Sequence, residues 1–206
     1  MKICLLGATG RVGSILLEKM IKAGYEVSIL VRQPLKVRIS STNLSIIQGD
    51  VLIEANVEQA MTNCDMVVSC LGTDGKDTLS KSMPLLLKTM RQKKIKSIIS
   101  IGTAGILQAR SYPTTYRFLT NESKRKSTKA AEDHLKVYLM LHKSKMNWTI
   151  VCPTYLPNGE RQGHYRIEKN MLPESSQSIS IYDTADFMYD LLISNEFLKT
   201  RVGIAY

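Results

Sequence analysis

Residues 1–20 read MKICLLGATGRVGSILLEKM, an apolar run that breaks into glycines at positions 7, 10 and 13 and resumes with helical spacing. Val12, Ile15, Leu16, Lys19 and Met20 follow that spacing, and Gly24 is placed to stop the helix. A strand leading through three such glycines into a helix is the arrangement in which backbone and phosphate approach closely. Gly7 allows the tight turn, Gly10 lets the backbone come up to a pyrophosphate, and Gly13 lets helix and strand pack together. The helix N-terminus then offers unpaired N–H groups and positive potential to the phosphates. The expected fold follows from this stretch and its repetition downstream.

Apolar runs of strand length recur along the chain: KICLLG (2–7), EVSILV (26–31), LSIIQ (44–48), DMVVSCLG (65–72), KSIISIG (96–102) and WTIVCP (148–153). Each is apolar throughout rather than alternating, as parallel strands covered on both faces are, so all six are expected to be buried. Helical patterns at 79–94 and 126–145 separate the later ones. The expected fold is α/β: a single Rossmann-type domain over residues 1–206, with a doubly wound parallel sheet and helices on both faces. From about 153 to 182 the regularity is lost. TYLPNGERQGHYRIEKNMLPESSQSISI (154–181) carries prolines and glycines with little periodicity, and reads as an elaborated loop on the substrate side with a short strand at SISI (178–181). A helix opened by Asp183 or Thr184 and a last strand TRVGIAY (200–206) close the expected order.

Composition narrows the class. With 206 residues, 44% hydrophobic and 22% charged, the chain suits one well-cored globular unit. No signal-peptide pattern opens it and no apolar run reaches the roughly 20 residues of a membrane span, so a cytoplasmic protein with no membrane partner is expected. Cys4, Cys64, Cys70 and Cys152 form no CxxC pair and read as reduced core thiols. Three scattered histidines give no metal-ligand spacing, and no metal is expected. The net charge of +10 raises nucleic acid as a partner, but the basic runs RQKKIK (91–96) and ESKRKSTK (122–129) lack interleaved aromatics and read as solvated faces.

About twenty residues beyond such a glycine turn, an acidic side chain at the end of the second strand would bind the ribose hydroxyls of NAD. Here the strand ends SILVRQP (28–34), with Arg32 at that place. A guanidinium suits a 2′-phosphate by charge and bidentate geometry, so NADP is expected over NAD. Thr9 and Arg11 are candidates for further phosphate contacts, Arg11 being equally readable as an exposed first-turn residue. Asp50, in IIQGDV (46–51), is either at the adenine edge or an ordinary turn aspartate. Val12 and Val51 stand beside these residues and complete this part of the candidate dinucleotide site.

Together GATGRVG, the strand end LVR, QGDV, SCLGT (69–73), ISIGTAG (99–105), KAAE (129–132) and NWTIVCP (147–153) resemble the atypical short-chain dehydrogenase/reductase superfamily in its NmrA-like NAD(P)-binding branch. The resemblance spans essentially the whole chain and looks closest to the biliverdin-IXβ reductase/flavin reductase type. It implies a small, monomeric or weakly dimeric enzyme that transfers hydride from NADPH to a flavin, quinone or tetrapyrrole-like aromatic acceptor. The branch also contains non-enzymatic NADP sensors, which is the alternative. By the resemblance, Cys70, Leu71 and Gly72 flank the nicotinamide ribose, Thr103 stands near the nicotinamide or substrate, and Lys129 takes the place of the lysine in the superfamily's Tyr-x-x-x-Lys dyad. The dyad's tyrosine is replaced by Arg125, so the usual general acid is missing. Tyr155, in VCPTYLP (151–157), matches a substrate-pocket position that is a histidine in the mammalian-type enzyme. Thr103, Lys129 and Tyr155 are the candidate catalytic residues. Reduction of a flavin or quinone needs mainly an aligned hydride, with protonation available from water, so it tolerates loss of the phenol.

Overall fold

The computed structural model describes residues 1–125 and 127–206; Lys126, in the second basic run and at the expected start of the 126–145 helix, lies outside the described residues. The chain forms β1 (Lys2–Leu6), α1 (Arg11–Lys22), β2 (Glu26–Val31), β3 (Leu44–Gln48), α2 (Glu54–Ala60), β4 (Met66–Ser69), α3 (Thr78–Gln92), β5 (Ser97–Ile101), α4 (Lys129–Lys143), β6 (Asn147–Pro153), β7 (Arg166–Lys169), α5 (Ile181–Asp190) and β8 (Thr200–Ala205). The strands make one sheet in the order β3-β2-β1-β4-β5-β6-β8-β7, parallel except for β7. The chain begins in the middle, runs out to β3, and returns to the other side of β1 at β4. The order therefore reverses between β1 and β4, which is where open α/β sheets bind ligands.

Alternation along each strand divides the core into two layers. Cys4 and Leu6 join Val67, Ile98 and Ile150 under α2, α3 and α4, through Val57, Leu86, Met90, Val137 and Leu141. Ile3 and Leu5 join Ile29, Val68 and Val202 under α1 and α5, through Leu16, Met20, Phe187 and Met188. All four cysteines are free and buried. No described helix is long and apolar enough to cross a membrane.

Four expectations are corrected. LSIIQ is not a buried strand: β3 is the sheet edge, and Ile46 is 44% exposed. No strand forms at 178–181, where Ser178 makes only an isolated bridge to Tyr155; the strand of this region is β7, at the opposite edge. The last helix is capped by Ser180 rather than by Asp183 or Thr184, the Ser180 hydroxyl accepting from the Asp183 N–H at 3.0 Å. Finally α2, with seven residues, lies where no helix was expected.

Asp183 is consumed by a different task. Its carboxylate accepts from the N–H groups of Gln162 and Gly163 at 2.9 and 3.0 Å, from the Ser180 hydroxyl at 3.1 Å, and from the Tyr206 hydroxyl. Burial alone would raise its pKa, but these donors outweigh burial and hold the carboxyl below its ordinary value. One buried anion thus ties the loop after β6 to the start of α5 and to the residue following β8. Asp183→Ala is expected to cost about 3 kcal/mol, because several buried donors lose their partner together. Ser180→Ala, which removes only the cap, is expected to cost about 1 kcal/mol. Urea unfolding with an unchanged m-value measures both.

Candidate functional site

The glycine turn lies at the carboxyl end of β1, beside the end of β4. Gly7 adopts φ +78°, and a Cβ there would stand 2.5 Å from the Cys70 carbonyl oxygen. A Cβ on Gly13 would stand 2.2 Å from the Gly7 carbonyl oxygen and 3.2 Å from the Cys70 Cβ. Gly10 donates its N–H to the Gly7 carbonyl at 3.0 Å, and its own carbonyl takes the first helical bond, from Ser14. Helix α1 starts with no side-chain cap and no acidic residue in its first turn. The N–H groups of its first residues are therefore open to an anion. Thr9, Gly10 and Arg11 are exposed around this opening, while Val12 and Gly13 are buried beneath it.

Arg32 follows β2 on the same edge, exposed and without hydrogen bond or ion pair to another described residue. Lys36 and Arg38 come shortly after, also exposed. The sequence reading passed over these two, although a signal was present: no Asp or Glu occurs from Val27 to Gly49. Asp50 serves its own turn, accepting from the Leu52 N–H at 2.9 Å, while its N–H donates to Asn56 at 3.0 Å. Val51 is buried in the core.

At the end of β4, Cys70 is buried and its thiol pushed up to about 12 by burial, which makes it inert. Leu71 is half-buried and Gly72 exposed. Beyond β5, the Thr103 hydroxyl accepts from the Gly105 N–H at 3.5 Å and opens a single turn of 3₁₀ helix. That turn packs on the first turn of α4: a Cβ on Gly105 would lie 3.1 Å from the Ala131 Cβ. The fold thereby brings Thr103 toward the start of α4, where Lys129 is exposed. Tyr155, two residues past β6, is 66% exposed. None of these three side chains hydrogen-bonds to another. The Arg11 guanidinium donates to the Leu156 carbonyl at 2.8 Å and to the Asn158 side-chain oxygen at 3.4 Å.

Helix α4 adds two buried residues that sequence reading missed. Asp133 accepts from the N–H groups of Leu79 and Ser80 at 3.3 and 3.1 Å, capping α3, whose own N-cap residue Asp77 makes no side-chain bond to the helix N–H groups. The negative charge there also suits the helix dipole. Beside it, His134 lines a cavity of about 10 Å³ with Ser69, Ser82, Ser100 and Leu71, just behind the ends of β4 and β5. Burial pushes the His134 imidazole down to about 4, against the opposing charge of Asp133. A cavity of about 460 Å³ lies elsewhere, between segments 108–122 and 171–176. Its charges are paired, Arg110 with the lining Glu174 at 3.4 Å and with Glu168 outside the lining at 2.6 Å, and Arg117 with Glu122 at 3.1 Å. It therefore offers a ligand little free charge.

A dinucleotide fits what this edge presents: two backbone approaches that exclude a Cβ, a helix N-terminus open to an anion, and cations after β2. Comparison with known sequences agrees, since the profile of the NAD(P)H-binding family matches residues 7–195. The chain belongs to the NAD(P)H-binding family. This membership fits the resemblance to the NmrA-like branch of the atypical short-chain dehydrogenases/reductases. Bacillus subtilis YwnB, a protein without a characterised function, is 26% identical over 93% of this chain and 91% of its own length. A Streptococcus pneumoniae protein provisionally described as an NADH-flavin reductase is 27% identical, with a TM-score of 0.84 over 100% of this chain and 99% of that one. A Veillonella parvula short-chain dehydrogenase/reductase, solved in complex with NADP, shares the fold at 20% identity, with a TM-score of 0.76 over 100% and 94% of the two chains.

Two outcomes are expected. Gly13→Ala forces α1 away from the Gly7 backbone and should weaken dinucleotide binding more than about tenfold, with a lowered Tm. Gly72→Ala, where a Cβ meets no other part of the protein within 4 Å, should leave the Tm unchanged. Because the folded His134 pKa is depressed below its ordinary 6.5, the unfolded chain binds the proton first. Stability present above pH 6.5 is therefore lost as pH falls toward 4, by about 3 kcal/mol at most. Tm followed from pH 7 to 4 should show this decline in the parent protein and a flatter one in His134→Gln.

Proposed function

We propose that the protein is an NADPH-dependent oxidoreductase that transfers hydride to a flavin, quinone or tetrapyrrole-like aromatic acceptor. The observation that carries the cofactor half is Arg32, an exposed guanidinium at the end of β2 with no hydrogen bond or ion pair to another described residue, where NAD-binding chains keep an acid. Lys36 and Arg38 add positive potential in a stretch without carboxylates. Gly7, Thr9, Gly10, Val12 and Gly13 would hold the pyrophosphate, Asp50 and Val51 would border the adenine, and Cys70, Leu71 and Gly72 would flank the nicotinamide ribose together with Lys129. A reduced nicotinamide bound there supplies the hydride.

The acceptor half rests on what the edge lacks. Arg125 stands where the superfamily keeps its proton-donating tyrosine, so reduction of a simple ketone has no evident acid. An aromatic acceptor takes the hydride into a delocalised ring and its proton from water, needing alignment more than acid catalysis. Thr103 and Tyr155 stand at the ends of adjacent strands, where they would contact such a ring. The provisional description of the Streptococcus pneumoniae relative supports a flavin acceptor, although it specifies NADH. The same Arg125 also favours a second reading, a non-enzymatic NADP sensor.

Fluorescence titration with NADPH and NADH, followed by addition of FMN or dichlorophenolindophenol, separates these readings. Binding followed by loss of nicotinamide absorbance is the expected result; tight binding without oxidation of NADPH would favour the sensor. Arg32→Ala is expected to weaken NADPH about 10- to 100-fold, as loss of a charge-assisted bidentate contact does, and NADH by less than about twofold. Equal weakening of both would overturn the 2′-phosphate assignment.

A further inference from the structure

The loop after β6 is held at two ends by different elements. Its far end is bound to α5: Gln162 and Gly163 donate to Asp183, and Arg161 pairs with Asp186 at 2.7 Å, which Lys19 of α1 also meets at 2.8 Å. Its near end, residues 156–160, receives side-chain hydrogen bonds from one residue only among those described. That residue is Arg11, through the Leu156 carbonyl and the Asn158 side chain. Residues 11 and 156 are far apart in sequence, and the contact joins the two halves of the site.

Arg11 is the first residue of α1, directly after Gly10. Its backbone belongs to the turn that meets the pyrophosphate, and its side chain grips the segment that begins at Tyr155. Leu156 packs partly into the core under α1 and α5, so the carbonyl that Arg11 holds belongs to an already seated residue. A guanidinium carries five donors in a fixed fork and can hold two oxygens of one loop at once. Among the described residues, Tyr155 itself hydrogen-bonds through its backbone, its carbonyl accepting from the Ile179 N–H at 2.9 Å.

We propose that Arg11 is a positioning residue that pins segment 154–160, and with it Tyr155, to the dinucleotide turn, so that ordering of the turn by bound dinucleotide also orders the acceptor side. The acceptor part of this assignment rests on the reductase reading above; the tether itself does not. It makes Arg11 a specificity element for the acceptor rather than a phosphate ligand. The two roles predict opposite patterns of loss.

The test compares the parent protein with Arg11→Met and Arg11→Lys by amide hydrogen exchange, NADPH titration, and steady-state kinetics with FMN. Arg11→Met is expected to speed exchange in 154–160 about tenfold while α5 stays protected. It should raise the FMN KM about fivefold or more, with kcat and the NADPH Kd changed by less than about threefold. Arg11→Lys, which keeps a donor within reach, should restore most of the KM. A tenfold weaker NADPH Kd with unchanged loop exchange would overturn the proposal and make Arg11 a phosphate contact; unchanged exchange and unchanged KM would overturn it as well. If no acceptor oxidises NADPH, the reductase reading alone fails, and exchange still decides whether the tether exists.

Discussion

Everything at the carboxyl edge of the sheet depends on one close approach of backbones. The Gly7 carbonyl, the Gly13 Cα and the Cys70 carbonyl meet with no room for a methyl group between them. Such contact is possible only where two of the three positions carry no side chain, and it lets α1 begin immediately beside the ends of β1 and β4. A helix that starts there points its unpaired N–H groups into the crevice at which the strand order reverses. Phosphate affinity is thus a by-product of how tightly the first helix sits on the sheet. The small, buried Cys70 belongs to the same constraint, since its Cβ faces Gly13 and its thiol has no other evident task.

The second half of the site is assembled by tethers rather than by packing. Asp183 gathers donors from the loop after β6, from the cap of α5 and from Tyr206, and Asp186 takes Arg161 and Lys19. Asp133 does the equivalent work on the other face by capping α3 from α4. Both faces therefore use a buried carboxylate to fix one element against another close to the cleft. Charge-assisted bonds suit this purpose, being stronger and more directional than apolar contacts. The loop could not be held by burial alone, because most of residues 158–164 face solvent.

What could be read from the sequence follows from this division. The strands β1, β2, β4, β5 and β6 were legible because parallel strands covered on both faces need continuous apolar runs, and the glycine spacing was legible because steric exclusion leaves so few alternatives. Edge strands lack that requirement. RIEK in β7 alternates charge with a single isoleucine, and LSIIQ in β3 looked buried because nothing in its composition says that the sheet ends there. Helix α2 is too short for a periodic signal. At Ser180 and Asp183 two cap patterns overlapped, and only the tertiary partners of Asp183 show why the serine caps the helix. Arg11 and Asp133 were visible as residues but not as contacts, since their partners lie 145 and 54 residues away.

The chemistry of the proposed reaction follows from the same geography. In Tyr-x-x-x-Lys enzymes one helix supplies both the proton and the grip on the ribose; here α4 offers Lys129 for the second, while Arg125, at the position of the first, lies ahead of the helix. His134, behind the strand ends, is driven toward its neutral form by burial and lines a cavity about the size of one water. It is poorly placed to replace the lost phenol as an acid near neutral pH, because a group titrating near 4 holds almost no proton there. The cleft therefore aligns better than it protonates. An acceptor whose ring stabilises the added electron pair, and which can wait for a proton from solvent, is what the proposed reaction requires of its substrate.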